Sequence, residues 1–520
     1  TVLMIGRDQV HRRVGGGPEP WRDAIHRSKR WLDQRFNGHR NVGLDRFTLY
    51  YLYSVERVGL ASGIRRFAGR DWYLAGARHI LEARAAGLAD PDQPPEMRGS
   101  VNQSLTDSAF ALMFLARGNY PIAVTKFDHP GRPIDPRPAD IANFTRRFSD
   151  LREREFNFQR ISLNAPSRLA LASPLGFLST ERAIELNDMQ RDRLKHFIDH
   201  GGTLVINPEL RSNHAVEWAR QLAKKMYPQY QMRELPMDHP VFTTLFPLRT
   251  AGQLTVFGLS NGVRELMVVP MRDWGMQFQT PSEGAARTLP WGWRAMTNLL
   301  IHASDRGRIE PWLSSRAAPH HADEADPATS DQTEVPHTRP QPLTIVRARH
   351  AGNWHVEPAA FRTLSPDLRR LADARLVFRD MPLEQIGSTD ARFVHLAGVE
   401  PVELTEAELR AMLQYAERGG LLLVESVGGK TLFAMKVEEQ LREHLASAAF
   451  RLNERHALIN GSFDERAHDL TRVTYRRFAA LRRLGGRSPR LNAFFHDGRA
   501  SIVLTRSEEH TSELQSHAPI

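Results

Sequence analysis

LNDMQRDRLKHFIDHGGTLVI at residues 186–206 and LTEAELRAMLQYAERGGLLLV at residues 404–424 are two copies of one pattern. The second residue of each copy has a side chain that can cap a helix, and a Gln or Glu follows three positions after it. The two pairs are Asn187 with Gln190 and Thr405 with Glu408. This spacing is the capping box, in which side chains and backbone of the first helical turn satisfy each other's hydrogen bonds. Both copies therefore predict the start of a helix.

Each predicted helix ends at a pair of glycines, Gly201-Gly202 and Gly419-Gly420. Glycine takes the left-handed backbone conformation at little cost, which is typical of the residue that follows a helix. A continuous apolar run comes next in both copies and predicts a buried strand. The residues expected on the buried side of the two helices correspond in pairs, Leu194 with Met412 and Phe197 with Tyr415.

Short apolar runs alternate with helical stretches on both sides of these units. The runs IAVTKF, RLALASPL and TLVINPEL begin at residues 122, 168 and 203. This alternation predicts an α/β fold in which helices cover both faces of a mainly parallel sheet. Dipeptides typical of hairpin turns, Asn261-Gly262 and Asp497-Gly498, recur late in each half. We expect two such domains in tandem, over residues 121–308 and 342–505.

Three further segments lie outside these domains. Residues 309–341 are polar and rich in proline, so they cannot bury enough apolar surface to fold and are expected to be a flexible linker. Residues 1–120 are expected to be helical repeats, truncated at the N-terminus because the chain opens on Thr1 without an export signal. Residues 506–520 have no hydrophobic period and resemble a translated sequencing adapter, so we expect an artefact there.

The helical region carries aromatic residues at helical spacing. Its segments RSKRWLDQRF, YYLYSVERVGLASG, DWYLAGARHILEARAAG and LTDSAFALMFLARG resemble the last repeats of the α/α toroid of squalene cyclases and prenyltransferases. The Asp-x-Asp-Asp and Asp-Asp-x-x-Asp motifs of those enzymes are absent from it, as is the cysteine that binds zinc in protein prenyltransferases. The resemblance therefore implies a helical scaffold and not terpene chemistry.

The tandem α/β part resembles a bacterial family called domain of unknown function 4159, which is related to the class I glutamine-amidotransferase-like fold. The resemblance rests on RARHAGNWH, ELPMDHPVF, GVRELMVVPMRDWG and the two glycine–strand units, and it covers nearly all of residues 121–505. It implies a flavodoxin-like parallel sheet and export to the periplasm or another part of the cell envelope. It implies no established reaction.

Composition excludes several classes of function. The chain has no cysteine, which excludes thiol nucleophiles, disulfides and thiolate metal sites. Its net charge is +10, but the basic residues are spread along the chain instead of forming one face, so no nucleic-acid partner is predicted. The densest basic group, residues 472–490, is expected to be the solvated face of an amphipathic helix. We predict no transmembrane segment, no metal and no cofactor.

In amidotransferases of this fold, the nucleophile is a cysteine on the sharp turn after the central strand. The corresponding turns here are NPELR, with Asn207 and Glu209, and ESVGG, with Glu425 and Ser426. Neither turn has a cysteine, which excludes glutaminase chemistry. Ser426 could replace the cysteine only beside a positioned base, and no histidine and acid of suitable spacing accompany it, so no catalytic residue is predicted.

Two further loops are candidates for ligand contact. Asp238 and His239 place a carboxylate beside an imidazole, although the proline that follows also suits a plain turn. Asp273 and Trp274 follow the apolar run LMVVP, and sheets of this kind bind ligands beyond the carboxyl ends of their strands. Residues 428–431 read GGKT, but the loop is too short for a phosphate loop, so no nucleotide site is predicted.

The sequence thus favours a non-catalytic protein of the cell envelope that binds a partner protein or a small ligand through degenerate amidotransferase-like domains. The alternative is a hydrolase or transferase that uses Ser426 or the Asp238–His239 region. Binding of nucleic acid through arginine is a third hypothesis.

Overall fold

The chain divides into two compact units, residues 1–259 with 266–325 and residues 260–265 with 326–520. The computed structural model describes residues 22–42, 44, 46–85, 101–129, 135–248, 254–279, 288–304, 308–314, 341–361, 368, 374–429, 432–463, 469–471 and 489–505. Two seven-stranded sheets follow one another along the chain, after a helical region. The prediction of an α/β fold with two domains in tandem is therefore confirmed.

The described part of the helical region contains four helices and a small hairpin. They are α1 (Arg22–Arg35), α2 (Thr48–Ser62), β1 (Arg66–Phe67), β2 (Arg70–Asp71), α3 (Trp72–Ala85) and α4 (Val101–Gly118). The rings of Trp72 and Tyr73 pack against Phe114 at centroid distances of 5.8 and 5.6 Å, and all three side chains are buried. The aromatic residues of this region thus form its core, where large rings bury the most apolar surface.

The first sheet has the strands β3 (Ile122–Asp128), β4 (Asn157–Ser162), β5 (Leu175–Thr180), β6 (Thr203–Pro208), β7 (Met232–Glu234), β8 (Val256–Ser260) and β9 (Glu265–Pro270). Their order across the sheet is β4-β3-β5-β6-β9-β8-β7. The first five of these strands pair in parallel, and β7 pairs antiparallel with β8. The helices are α5 (Asp140–Arg152), α6 (Asp188–Asp199), α7 (Asn213–Met226), α8 (Pro240–Thr243), α9 (Trp274–Gln279) and α10 (Trp291–Ala303).

Helices cover both faces of the first sheet. α5 and α10 pack on one face through Phe144 and Trp293, and α6 packs on the other through Phe197. Successive residues of a strand point to opposite faces, so Val205 joins the first cluster while its neighbour Ile206 joins the second. The result is the three-layer arrangement that an apolar, non-alternating strand requires.

The second sheet repeats this topology. Its strands are β10 (Gln341–Arg349), β11 (Ala374–Pro382), β12 (Phe393–Gly398), β13 (Leu421–Ser426), β14 (Phe450–Arg451), β15 (Leu491–His496) and β16 (Arg499–Thr505), in the order β11-β10-β12-β13-β16-β15-β14. Its described helices are α11 (Glu406–Glu417), α12 (Leu432–Leu445) and α13 (Ala457–Asn460). Numbered within its own domain, each sheet reads 2-1-3-4-7-6-5, so one topology occurs twice.

The repeated helix–strand unit forms as its sequence predicts. Both capping boxes are present at the starts of α6 and α11. The first glycine of each pair has a positive φ, 104° at Gly201 and 92° at Gly419. The second glycine lies under an aromatic ring of the preceding helix: a Cβ at Gly202 or Gly420 would come within 2.2 Å of a ring carbon. The two glycines of each pair are thus required for different reasons, backbone conformation and close packing.

The structure differs from the sequence prediction in two neighbouring segments. The apolar run RLALASPL, predicted as a strand, mostly forms a 3-10 helix over Ser167–Ala172, and the strand β5 starts only at Leu175. Periodicity cannot separate a short buried helix from a buried strand. The strand β4 was not predicted, because its polar side chains interrupt the apolar run; buried Gln159 is accommodated by donating to Thr125 Oγ1 and the Leu169 carbonyl at 2.9 Å.

Several predicted segments lie wholly or mostly outside the described residues. They are the N-terminal residues 1–21, most of the linker at residues 315–340, the basic stretch at residues 472–488 and the C-terminal residues 506–520.

Candidate functional site

Polar side chains converge where the parallel strands of the first sheet end. Lys126 lies on β3, Ser179 on β5 and Asn207 on β6, and Asp273 follows β9. All four are buried. Because the carboxyl ends of parallel strands share one edge, residues far apart in sequence meet there.

Lys126 is surrounded by oxygen atoms. Its Nζ lies 2.8 Å from Asp135 Oδ2 and 2.7 Å from Asp140 Oδ1, and it donates to the Arg137 carbonyl at 2.8 Å. An ammonium group has three donors, so these three oxygens match its capacity. A lysine that is only 4% exposed needs such partners, because burial of an unpaired charge is costly.

The two carboxyl groups around Lys126 differ in ionisation. Burial raises the pKa of Asp140 to about 6, against the opposing effect of Lys126. Burial also opposes ionisation of Asp135, but the charges of Lys126 and Arg160 outweigh it and hold its pKa below the usual range. Asp135 is therefore the permanent counter-charge, and Asp140 takes up a proton first as the pH falls.

A second group of buried side chains contains four of the predicted site residues: Asn207, Glu209, Asp273 and Trp274. Arg137 forms an ion pair with Asp273, and its Nη1 lies 3.6 Å from Glu209 Oε1. Asn207 Nδ2 donates to Asp273 Oδ1 at 2.9 Å, and the Trp274 backbone N–H donates to Asn207 Oδ1 at 2.7 Å. These contacts link the ends of β6 and β9, and among the described residues Arg137 Nη1 and Trp274 Nε1 are the buried atoms of this group that have no hydrogen-bond partner.

The turn after the central strand has a residue with positive φ in both domains, and only the first domain places non-glycine residues there. Nine residues after Gly201 and Gly419, respectively, Leu210 has φ 53° and Gly428 has φ 77°. A non-glycine residue at positive φ is uncommon and carries strain. Leu210 carries an exposed hydrocarbon side chain, the next residue Arg211 with φ 59° carries a guanidinium, and Gly428 has no side chain, so none of these positions holds a nucleophile.

Glu425 and Ser426 lie at the end of β13 but do not act together. Ser426 Oγ accepts a hydrogen bond from the Ala434 backbone N–H in α12 at 2.8 Å, and the serine is buried. Glu425 Oε2 lies 2.7 Å from His395 Nε2 on the neighbouring strand β12. Adjacent residues of a strand point to opposite faces, so the hydroxyl of Ser426 and the His395–Glu425 pair are on different sides of the sheet.

Asp238 and His239 lie in the turn before α8. Asp238 is exposed, and His239 Nδ1 accepts from the Val241 backbone N–H at 3.2 Å, which caps that helix. His456 does the same in the second domain, where its Nδ1 accepts from the Leu458 backbone N–H at 3.2 Å. The repeated role of both histidines is therefore a helix cap.

Corresponding positions of the two sheets carry different chemistry. Lys126 aligns with Arg160 across β3 and β4, and Arg347 aligns with Asp380 across β10 and β11. On the other side, Lys126 aligns with Phe177, whereas Arg347 aligns with His395. Two charged side chains thus face each other on the first two strands of both sheets, but only the second copy continues with a histidine on the next strand.

A cavity of about 240 Å³ lies at the end of β3 in the first unit. Its lining side chains come from α1, from the residue after Gly63 and from the strand ends: His26, Lys29, Ile64, Lys126, Phe127, Asp128, His129, Asp135, Arg160 and Ser179. Arg160 closes one side by pairing with Asp128 and Asp135, its Nη2 lying 2.6 Å and 3.1 Å from their respective carboxylate oxygens. The Arg160 backbone N–H donates to the Gly63 carbonyl at 2.8 Å, which holds the helical region against this strand end.

The sequence prediction missed the charged residues around this cavity. One feature of the sequence could have pointed to Lys126 as a site residue: it places a charge within an otherwise apolar strand, in a chain that has few lysines. Asp135, Arg137 and Arg160 lie in segments without a recognisable pattern, so only the fold brings them to Lys126. His395 was likewise hidden within an apolar strand.

Within the part of the chain that the structure describes, no group of three or more His, Asp or Glu side chains is arranged to hold a metal ion. None of the helices in that part is both long enough and apolar enough to cross a membrane.

Comparison with known proteins gives one family. No curated protein matches the chain. The family described as Domain of unknown function (DUF4159) matches residues 122–299 and again residues 344–518. The second match includes most of the segment at residues 506–520 that we expected to be an artefact. Together the two matches span more than half of the chain, one on each α/β domain, and the protein is therefore a member of the DUF4159 family with two copies in tandem.

Proposed function

We propose that this chain is a non-catalytic binding protein whose first α/β domain holds a small ligand at the carboxyl edge of its sheet. The observation that carries this proposal is the cavity beside Lys126, lined by charged side chains from the strand ends and from α1.

The position of the cavity supports a binding role. β3 and β5 are neighbours in the sheet, and the helices that follow them, α5 and α6, pack on opposite faces. This is the switch point of an α/β sheet, where the chain leaves two adjacent strands in opposite directions and a crevice opens. Ligands of such sheets bind in that crevice.

The lining is held in place before any ligand arrives. Arg160 pairs with Asp128 and Asp135, and Lys126 pairs with Asp135 and Asp140. Side chains fixed in this way lose little conformational freedom on binding, which favours affinity.

The turns after the central strands support a role without catalysis. Leu210 and Arg211 in the first domain and Gly428 in the second have positive φ there, and none of the three can attack a substrate. Ser426, the hydroxyl nearest to this turn in the second domain, is engaged by the backbone of α12. We propose that both domains descend from amidotransferase-like, flavodoxin-like ancestors that lost the nucleophile.

The remaining parts of the proposal concern organisation and location. We propose that the α/β domains comprise residues 121–308 and 342–505, with residues 309–341 as the linker between them, and that the helical region is a toroid-type scaffold. We also propose action in the bacterial cell envelope, where a protein partner could bind as well.

Calorimetric titration of small probes against the whole chain tests ligand binding. The probes are inorganic phosphate, succinate, methylammonium, glycine and glycerol. Ile64→Trp and Lys29→Trp fill the cavity from two sides, and Leu210→Trp adds the same ring on an exposed turn that does not line the cavity. We expect at least one probe to bind the wild type and Leu210→Trp but neither cavity-filling variant. Failure of every probe on the wild type, or binding that survives both filled cavities, would contradict the proposal.

One observation favours a hydrolase as the second candidate. His395 Nε2 and Glu425 Oε2 lie 2.7 Å apart, and an imidazole oriented by a carboxylate can act as a general base toward water. Hydrolysis of p-nitrophenyl acetate that is abolished by His395→Gln and Glu425→Gln but retained by Ser426→Ala would support this candidate. Equal background rates in all four proteins would exclude it for this ester.

A further inference from the structure

The hairpin turn that begins at Asn261 is held by other residues of the second compact unit. Residues 260–265 belong to that unit, so these contacts are internal to it. Asn261 is only 1% exposed. Its Nδ2 donates to the Val356 carbonyl and to Glu357 Oε1, both at 2.9 Å. The loop after β10 therefore contacts this side chain directly.

The hydrogen-bonding capacity of the Asn261 side chain is completely used. Its Oδ1 accepts from the backbone N–H groups of Val263 and Arg264, both at 3.0 Å. A carboxamide has two donors and an oxygen with two lone pairs, so with the two donated bonds all four positions are filled. An aspartate would lack the donors and would place its carboxylate beside Glu357. The contacts thus distinguish asparagine from aspartate.

Two further contacts hold the same turn. Arg264 Nε donates to Glu357 Oε1 at 2.8 Å, and Arg264 Nη2 donates to Glu357 Oε2 at 3.4 Å. Hydrogen bonds between a guanidinium and a carboxylate are strengthened by their charges and fix the orientation of both groups. Asn353 Nδ2 donates to the Asn261 backbone carbonyl at 2.7 Å. Both side chains and the backbone of the turn are therefore recognised.

The turn lies over the carboxyl ends of central strands of the second sheet. Val399 directly follows β12, and its Cγ1 would lie 3.1 Å from a Cβ at Gly262. Gly428 lies in the turn after β13, where a Cβ would come within 2.6 Å of Val263 Cγ1. Sheets of this kind bind their ligands beyond the carboxyl ends of the strands. Residues 260–265 thus occupy the place of a ligand.

The corresponding turn of the second sheet has no such contacts among the described residues. The Asp497 side chain is 93% exposed, and no described atom lies within 4 Å of a Cβ placed at Gly498. A hairpin turn of this kind therefore forms without them. The contacts of Asn261 are an additional feature, which the hairpin itself does not require.

We propose that the carboxyl edge of the second sheet is a binding site for a peptide turn of the form Asn-Gly-x-Arg, and that residues 260–265 fill it as an internal ligand. This inference does not depend on the cavity beside Lys126. A partner protein that presents the same turn offers the same donors and competes for the site. Because the internal ligand is covalently attached, its effective concentration is high, and a free peptide binds well only when the internal ligand is weakened.

An engineered disulfide tests the internal ligand, since the chain has no cysteine of its own. A Cβ at Gly262 would lie 3.6 Å from Val399 Cβ, within the range of about 3.5–4.5 Å that a disulfide requires. We expect Gly262→Cys with Val399→Cys to form an intramolecular disulfide when the whole chain is oxidised, as measured by mass spectrometry. Gly498→Cys with Val399→Cys also replaces a turn glycine of positive φ and should stay reduced.

Fluorescence anisotropy with a labelled cyclic peptide tests the site itself. The peptide has the sequence LSNGVREL of residues 259–266, and its control carries aspartate in place of the asparagine. The whole chain is used as wild type and as Asn261→Asp, which weakens the internal ligand. Glu357→Gln is then added to Asn261→Asp, with the exposed Glu417→Gln on α11 as its matched control. Thermal unfolding checks that each variant is folded.

We expect the asparagine peptide to bind Asn261→Asp about tenfold more tightly than it binds the wild type, and the aspartate peptide to bind neither. Adding Glu357→Gln should weaken this binding about tenfold, and adding Glu417→Gln should leave it unchanged. Failure of the first cysteine pair to form its disulfide would overturn the internal ligand. Absence of peptide binding to Asn261→Asp, or equal binding of both peptides, would overturn the peptide site.

Discussion

Lys126 Nζ lies 2.7 Å from Asp140 Oδ1, and neither residue is more than 4% exposed. The strand β3 places the lysine and the first turn of α5 places the aspartate, so this contact joins the sheet to the helix on one of its faces. Asp135 completes the group from the loop between them. A buried ion pair of this kind is costly to break, because removal of one partner leaves the other charge uncompensated.

Lys126→Met should therefore destabilise the first unit by about 3–5 kcal/mol, since it leaves the fully buried Asp140 without its cation. Urea unfolding measures this change. The control is Lys195→Met on α6, whose ammonium forms a half-exposed pair with Asp199 and should contribute less than about 1 kcal/mol. Equal losses in the two variants would mean that the Lys126 group is not a structural anchor.

Glu56 predicts a pH dependence of stability in the helical region. It is fully buried on α2, and its two carboxylate oxygens have no hydrogen-bond partner among the described residues. Burial raises its pKa to about 7, against the opposing charges of Arg117 and Arg57. The folded state thus holds this proton more tightly than the unfolded state, and stability should fall as the pH rises from about 4.5 to about 7.

Glu56→Gln stays uncharged and removes this dependence. At pH 8 the variant should be more stable than the wild type by about 2–3 kcal/mol, and the difference should vanish below pH 4.5. Thermal and urea unfolding at several pH values measure it, with the exposed Glu82→Gln on α3 as the control. A variant that is no more stable than the wild type at pH 8 would show that Glu56 finds a partner in solution.

His350 predicts the opposite trend in the second domain. Its Nε2–H donates to the Ala397 carbonyl at 2.9 Å, and its Nδ1 accepts from the Gly352 backbone N–H at 3.0 Å, so the ring fits as a neutral imidazole. Burial lowers its pKa below the usual 6.5. The stability that this histidine contributes is therefore complete above pH 6.5 and is lost as the pH falls below that value.

An NMR titration of the His350 ring in the whole chain measures this directly, and the midpoint should lie below 6.5. His350→Gln should make unfolding of the second domain less sensitive to pH between 6.5 and 5. A midpoint at or above 6.5 would contradict the neutral ring.

Replacement of either glycine of the repeated unit should lower the stability of the domain, but for a different physical reason in each case. Gly202→Ala places a Cβ 2.2 Å from the ring of Phe197 and should cost about 1–3 kcal/mol through overpacking. Gly201→Ala has open space around it but a φ of 104°, so its cost of about 1 kcal/mol comes from the backbone.

Phe197→Leu distinguishes these causes in double variants followed by urea unfolding. Combined with Gly202→Ala, the smaller side chain should relieve the clash. The double variant should therefore lose less unfolding free energy than the two single variants lose together. Combined with Gly201→Ala, the losses should be additive. The corresponding test in the second domain uses Gly420 and Tyr415.

Local chemistry in the chain was enough to predict the repeated helix–strand units. A capping box joins residues three positions apart, and the left-handed glycine needs only its own backbone, so neither depends on distant contacts. The alternation of apolar runs with amphipathic helices was likewise enough for the α/β class and the tandem arrangement. It was insufficient for β4, whose polar side chains are satisfied by groups elsewhere in the domain.

The chemistry of the strand ends follows from the folded arrangement and not from any local pattern. Lys126 meets Arg160, and His395 meets Glu425, because parallel pairing sets a register between strands whose residues are 34 and 30 positions apart, and the packing of α5 on the sheet brings Asp140 to Lys126. Register depends on which faces of all strands are buried together, a property of the whole sheet. The apolar pattern of the sequence could therefore indicate that the strands end at a common edge. Which charged side chains face one another at that edge depends on how the strands and helices pack.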